Sequence, residues 1–375
     1  MPVSSAHRPR LVALSAVAAL GLLVTACGSS SKSSNNTTAT TGGGAGTTTA
    51  TTAPAKLGAA TLNGSGSTFQ AAFDQDVIQQ FTQANSAVNI TYGGGGSGKG
   101  LTDLAGKLVD FAGTDAPIGA ADLPKYGGAD AILYFPTVAA PITLSYNLPG
   151  VSKLTLSAAS IAKIFTGKIT TWNDPALAAD NPGVTLPSTK ITPVHRSDSS
   201  GTTFNFSTYL TKADPTDWTL GAAKTINWPG GGTGSGNAGV ATSVKQTAGA
   251  VGYIDFSDAK ASGLSFASVT NSAGTAVAPT LDGASAAVAG ATVKADLTYD
   301  PTNASGATAY PITAPTWIVI YKQQSDHAKG TALKAFLNFI LTTGQTAIAK
   351  QDDFAPLSSD LLQKAKSQLD QIVVS

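Results

Sequence analysis

The sequence predicts an α/β protein, and three observations carry that prediction. Short β-branched or apolar runs alternate with stretches of helical periodicity along most of the chain. At 375 residues the chain has room for about two domains of roughly 150 residues each. Three of the strand-like runs end in turns of small polar residues, which is where open α/β sheets place their ligands.

The chain begins with a segment that reads as a secretion signal, residues 1–26. Arg8 and Arg10 form its basic start, Leu11 to Val24 its apolar centre, and Val24-Thr25-Ala26-Cys27 its processing site. The apolar run is about 14 residues long, short of the ~20 that span a bilayer. Cys27 is the only cysteine, so it has no internal disulfide partner, and its setting resembles the lipobox of bacterial lipoproteins. Lipidation at Cys27 would hold the protein on the membrane surface. Residues 27–59 then read as a disordered tether of Ser, Thr, Gly and Ala that lacks the apolar residues to repay ordering.

The folded part is expected from about Ala60. Ala60 to Gly64 reads as a strand entering a glycine turn, followed by a helix with Phe73, Val77 and Phe81 on one face. Val88 to Tyr92 is a strand that runs into Gly93–Gly96, and Leu101 to Leu108 a helix. Val109 to Gly113 is a short apolar strand ended by Thr114-Asp115-Ala116-Pro117. Ile132 to Leu148 holds two apolar runs; Pro136 and Pro141 suggest a crossing between domains more than one continuous strand. Ser157 caps a helix through Ile161, Ile164 and Phe165 that Gly167 stops. Ile191 to Val194 is a strand and Thr203 to Leu210 a helix; Gly230–Gly239 is a flexible loop before a helix through Val240 and Val244. Val251 to Phe256 and Trp317 to Tyr321 are strands, and Leu333, Phe336, Leu337, Ile340 and Leu341 mark a last strong helix.

Four turns hold groups suited to a small oxyanion: Ser67-Thr68-Phe69, Gly96-Ser97-Gly98, Thr114-Asp115, and Arg196 through Thr202. The guanidinium fork of Arg196 matches carboxylate or phosphate oxygens. Ser200, Gly201 and Thr202 open a helix, where unpaired N–H groups and the helix dipole favour an anion. Taken one at a time, Thr68 reads as a helix cap, Ser97 as a turn residue and Arg196 with Asp198 as a surface ion pair. Together they describe a binding shell in which Asp198 orients the Arg196 fork. Asp115 is the group that simple anion attraction does not predict, since a carboxylate beside an anion costs Coulomb energy. It fits an anion that still carries a proton, and it would discriminate against one that does not.

Other chemistries find less support. Gly93 to Gly100 comes within one residue of a nucleotide-binding P-loop, but Gly100 replaces the hydroxyl that would ligate magnesium. The three histidines, His7, His195 and His327, are scattered and no metal-ligand spacing occurs; no metal and no cofactor is expected. Asp198 and Ser200 beside His195 could suggest a hydrolase, yet the nucleophile-elbow motif is absent. A formal net charge of +1 offers no basic stripe for nucleic acid.

These motifs, with Asp110 to Pro117, Phe135 to Val138, Ile164 to Ile169, Trp228-Pro229-Gly230 and Gly249 to Tyr253, resemble the phosphate-binding proteins that feed ABC-type phosphate importers. The likeness runs from about Leu62 to Leu357 and is weak over Ser262 to Tyr310. It implies a two-lobed clamshell of the type II periplasmic-binding-protein fold, each lobe a mixed sheet flanked by helices and the two joined by two hinge crossings. Lobe I would take 60–137 and 311–375 and lobe II 138–310. It further implies that phosphate is held by Ser67, Thr68, Phe69, Ser97, Asp115, Arg196, Ser200, Gly201 and Thr202, with membrane permease subunits as partners and a monomeric state. A phosphate-sensing or adhesive surface protein, or less readily a secreted phosphatase, is the alternative.

Overall fold

The computed structural model of the chain describes residues 56–375. The expected signal, Cys27 and the tether up to residue 55 lie outside the described residues. From Pro54 onward the chain clusters as one unit.

Its frame is a nine-stranded sheet. From one edge to the other run the strands Val88–Gly93, Ala60–Gly66, Phe111–Thr114, Thr313–Tyr321, Ile132–Tyr146, Ala250–Asp255, Thr192–Arg196 and Gly232–Gly234, with Ser265–Phe266 pairing off this path to Ile132–Tyr146. The three strands at the first edge are mutually parallel, and so are the three at the far edge. Between them Thr313–Tyr321 and Ile132–Tyr146 run antiparallel to their neighbours. Parallel strands require crossover connections, and helices supply them on both halves.

Ile132–Tyr146 joins the halves, and every one of its fifteen residues is buried. Ile132 to Pro141 pair with Thr313–Tyr321, and Ile142 to Tyr146 pair with Ala250–Asp255. The break expected at Pro136 and Pro141 is therefore a single strand. Pro136 lies opposite Trp317, beside the register shift between Pro315 and Trp317. There the Val138 N–H donates to the Thr316 Oγ1 at 3.3 Å. A bulge is a place where a sheet tolerates proline.

The helical periodicities hold. Phe73, Val77 and Phe81 lie buried on Ala71–Ala84, and Phe81 meets Phe336 of His327–Phe339 edge-on at 5.4 Å between ring centroids. In the other half, Phe206 and Tyr253 stack with 4.4 Å between ring centroids, and Phe165 packs edge-on to Phe206 and tilted against Tyr253. Ser157 caps its helix by accepting the Ser160 N–H, and Gly167 follows at φ 75°.

Three expectations change. The helix placed at Leu101 to Leu108 spans Ser97–Ala105, leaving Leu108 73% exposed. The loop placed at Gly230–Gly239 contains the strand Gly232–Gly234 and the start of the helix Gly236–Gln246. The last strong helix gives way at Ile340 to a wider π-type segment, Ile340–Ile348. Helices Leu281–Ala289 and Ser359–Gln368 are not among the expected elements. Among the described residues no helix is long and apolar enough to cross a membrane.

Candidate functional site

The turns singled out in the sequence lie at strand ends, and the two halves of the sheet press them together. Ser67, Thr68 and Phe69 follow Ala60–Gly66, Asp115 follows Phe111–Thr114, and Ser97 opens its helix after Val88–Gly93. From the other half, Arg196 ends the strand Thr192–Arg196, and Ser200 caps the helix Gly201–Ala213 by accepting the Thr203 N–H. The glycines measure how closely the halves approach. A Cβ added to Gly201 would stand 2.5 Å from Ser97 Oγ and 2.6 Å from Asp115 Oδ2. The Gly98 N–H donates across the same seam to the Ser199 carbonyl at 2.9 Å, and a Cβ on Gly98 would meet Ser199 Oγ at 2.1 Å. The glycine-rich turn is thus the surface on which residues 198–199 rest.

Each predicted residue falls within this cluster. Ser67, Ser97, Ser200 and Thr202 have no exposed surface, Phe69 and Asp115 almost none, and Arg196 little. Thr68 alone is part-exposed. Ser67 Oγ donates to Asp115 Oδ1 and accepts the Phe69 N–H. Asp115 donates its own N–H to Ser97 Oγ at 3.2 Å. Gly201 and Thr202 begin their helix, so their N–H groups have no intrahelical carbonyl to meet.

Arg196 is clamped from behind. Its Nε donates to Asp198 Oδ1 at 2.8 Å and Nη2 to Asp198 Oδ2, while Nη1 reaches Thr202 Oγ1 at 3.2 Å. The Gly236 N–H holds Asp198 Oδ1 at 3.0 Å. Burial alone would raise the Asp198 carboxyl, but the bonds from Arg196 hold it below the usual carboxylate range. This pair is neutral overall, so an anion here is met by N–H and O–H dipoles more than by net charge.

Asp115 is opposite in character. Burial pushes its carboxyl up to about 7, against the pull of the Ser67 hydroxyl, the Arg196 charge and Ser97. Behind it, Asp74 is also pushed up to about 7 by burial, opposed by Gln70 and reinforced by the Asp115 charge. Asp74 takes a bond from Gln70 Nε2 at 2.8 Å on one oxygen, and its other oxygen has no partner. A carboxyl whose folded pKa lies above its unfolded value favours folding below the unfolded pKa, and that contribution is lost as pH rises through the folded pKa. Asp74→Asn is therefore expected to raise the melting temperature relative to wild type by more at pH 8 than at pH 5. Equal differences at both values would show that Asp74 does not titrate in this window.

His195 does not join the cluster as a base. Its ring stacks on Trp228 at 4.9 Å, and its Nδ1 lies 3.3 Å from the Arg196 carbonyl, with no bond to Ser200 or Asp198. The strand it belongs to is anchored by Tyr253, whose hydroxyl accepts the Arg196 N–H at 3.0 Å and lies 2.7 Å from Thr203 Oγ1.

Two site residues escape the sequence reading. Asn205 donates to the Asp115 carbonyl at 2.6 Å from the helix Gly201–Ala213. Asn237, fully buried, bonds Thr68 and Thr202 from the first turn of the helix Gly236–Gln246. Its signal was the same strand, glycine turn and helix start seen at the other turns. A cleft of ≈ 370 Å³ opens beside Thr68 and Phe69, with Asp255 and Asp258 on its far wall.

Comparison with known proteins adds the following. The family model described as a PBP superfamily domain matches residues 32–343. A curated relative from Xylella fastidiosa, phosphate-binding protein PstS, is 35% identical over 84% of this chain and 87% of its own length. Phosphate-binding protein PstS 3 of Mycobacterium tuberculosis is likewise 35% identical over 84% of this chain and 87% of its own. Among solved structures, the periplasmic phosphate-binding protein PfluDING, bound with phosphate, superposes with TM-score 0.69 at 22% identity, covering 82% of this chain and 94% of that one. A phosphate-binding protein of Stenotrophomonas maltophilia gives 0.65 at 20% identity, covering 83% and 94%. At those identities the structural likeness establishes the fold, the mixed α/β type II fold of periplasmic binding proteins.

Proposed function

Because this chain belongs to the phosphate-binding protein family of the PBP superfamily, we propose that its cleft captures inorganic phosphate outside the cytoplasm and delivers it to the permease of an ABC-type phosphate importer. The observation that carries this reading is Asp115, a single buried acceptor set among donors. Its Oδ1 is engaged by Ser67, and Oδ2 faces Gly201 at the seam. A protonated phosphate offers that oxygen a hydrogen, whereas sulfate leaves it unpaired beside a like charge. Ser97, Ser200, Thr68, Thr202, the N–H groups of Gly201 and Thr202, and the Arg196 fork then serve the bare oxygens; the Phe69 N–H, which the family resemblance adds to this set, joins them only by sharing or leaving its bond to Ser67 Oγ.

In this reading 60–137 with 311–375 form one lobe and 138–310 the other, and phosphate is enclosed when they close about the two crossings. The protein acts by binding and release, without covalent chemistry, as a monomer tethered through a lipidated Cys27. Titration calorimetry at pH 8 tests the core of it: phosphate binds and sulfate does not, and Asp115→Asn, whose amide can donate, admits sulfate. Because the Asp115 carboxyl is raised to about 7, it becomes a donor as pH falls below that value. Discrimination against sulfate is expected to weaken between pH 8 and pH 6. Equal wild-type affinity for the two anions at pH 8 would remove the role of Asp115.

A further inference from the structure

Asn237 occupies a position that its own hydrogen bonds explain only when followed to their ends. Its backbone N–H and its Nδ2 both donate to Thr68 Oγ1, each at 3.2 Å. The second hydrogen of Nδ2 faces Thr202 Oγ1 at 3.3 Å, and that oxygen also receives Arg196 Nη1 at 3.2 Å. The direction of the amide is not free, because Oδ1 accepts the Asp255 N–H at 3.3 Å and so keeps the nitrogen side on the threonines. The start of the helix that carries Asn237 is itself held by Asp198, through the Gly236 N–H.

A threonine hydroxyl has one hydrogen to give and two lone pairs to receive with. At Thr68 and at Thr202 both lone pairs are occupied by donors. Neither hydroxyl donates to a protein group among the described residues. Each can complete its bonding only by giving its hydrogen to something in the seam.

We propose that Asn237 is the positioning residue that turns Thr68 and Thr202, one from each half of the cleft, into obligate donors. The inference rests on the reading of the cleft as a phosphate site and deepens it. With both threonines unable to accept, a proton on the ligand finds no acceptor there and is directed to Asp115. The same amide links Thr68 to Thr202 directly, so the polarity is set only when the two halves meet. Asn237 thereby couples closure to the orientation of the anion, although it need not touch the anion itself.

A double-mutant cycle read by calorimetric titration with inorganic phosphate tests this. Asn237→Ala is expected to weaken binding at least tenfold in the otherwise native protein. In a Thr68→Val/Thr202→Val background, where no hydroxyl remains to be directed, the same substitution is expected to cost less than threefold. A merely structural role would give the same loss in both. The ligand-free melting temperature is recorded for each variant. Should Asn237→Ala fold poorly, Asn237→Asp keeps the shape and the acceptor for Asp255 while removing the two donors. Its loss should shrink at least threefold in the double-valine background, where simple charge repulsion would persist unchanged. Equal losses in the two backgrounds, or no loss on replacing Asn237, would overturn the inference and leave phosphate binding by the wild type standing. Absence of phosphate binding by the wild type would overturn both.

Discussion

Arg196→Ala is expected to weaken phosphate binding by roughly two to three orders of magnitude in a calorimetric titration. The Arg196 side chain is 1% exposed and makes two bonds to Asp198. Truncating one partner of a buried, hydrogen-bonded charge pair costs about 2–5 kcal/mol, and each ~1.4 kcal/mol is tenfold in affinity. The loss has two sources. The anion forfeits its one formally charged donor, and Asp198, now without its counter-ion, adds an uncompensated negative charge beside the cleft. Arg196→Lys is expected to recover only a small part, because an ammonium is a point donor that cannot hold both Asp198 oxygens and still reach Thr202. Arg196→Ala/Asp198→Asn should bind better than Arg196→Ala alone, since the stranded charge is gone. A loss below tenfold for Arg196→Ala would mean that the guanidinium is a structural pair and the dipoles hold the anion unaided.

The candidate site was legible because its chemistry is local. Ser200 is of the residue types preferred as a helix cap, and a turn of Ser, Gly and Thr that opens a helix after an apolar run leaves backbone donors unpaired. Most of the strands were legible for the same reason, with boundaries that differ by a few residues. What escaped depends on distant partners. Pro136 reads as a strand breaker until the bulge near Trp317, 181 residues downstream in sequence order, removes its conflict with the ladder. Asn237 is 169 residues from Thr68 and 35 from Thr202, so neither spacing nor motif could join them. The raised pKa of Asp115 is likewise a property of burial, which no short window reports. The glycine-rich turn was seen, but not its need for small residues at 96 and 98, because that need comes from residues 198–199 lying against it.

Gly201→Ala is expected to separate closure from folding. The change is mild for the half of the cleft that carries it. Gly201 is the first residue of the helix Gly201–Ala213, and its backbone lies outside the left-handed region that favours glycine. Alanine is the better helix former, so the ligand-free melting temperature should stay level or rise slightly. Across the seam the change is severe. A Cβ at 201 would stand 2.5 Å from Ser97 Oγ, 2.6 Å from Asp115 Oδ2 and 2.7 Å from Asp115 Cβ, and a Cβ has no rotamer with which to move aside. Overpacking typically costs about 1–3 kcal/mol, occasionally more, and here the cost falls only on the state in which the halves meet. Binding should therefore drop about 10- to 100-fold or further, with thermal stabilisation by phosphate falling in step. At a ligand concentration a thousand times the dissociation constant that stabilisation is about 4 kcal/mol, so a hundredfold loss leaves a clear deficit. Gly93→Ala, at the end of the strand Val88–Gly93 on the opposite half, serves as the control, since its Cβ would meet nothing nearer than 4.0 Å. If Gly201→Ala bound phosphate within threefold of wild type, the close approach of Gly201 to Ser97 and Asp115 would not belong to the loaded protein. If it lost affinity together with ligand-free stability, the glycine would be serving the fold before the cleft.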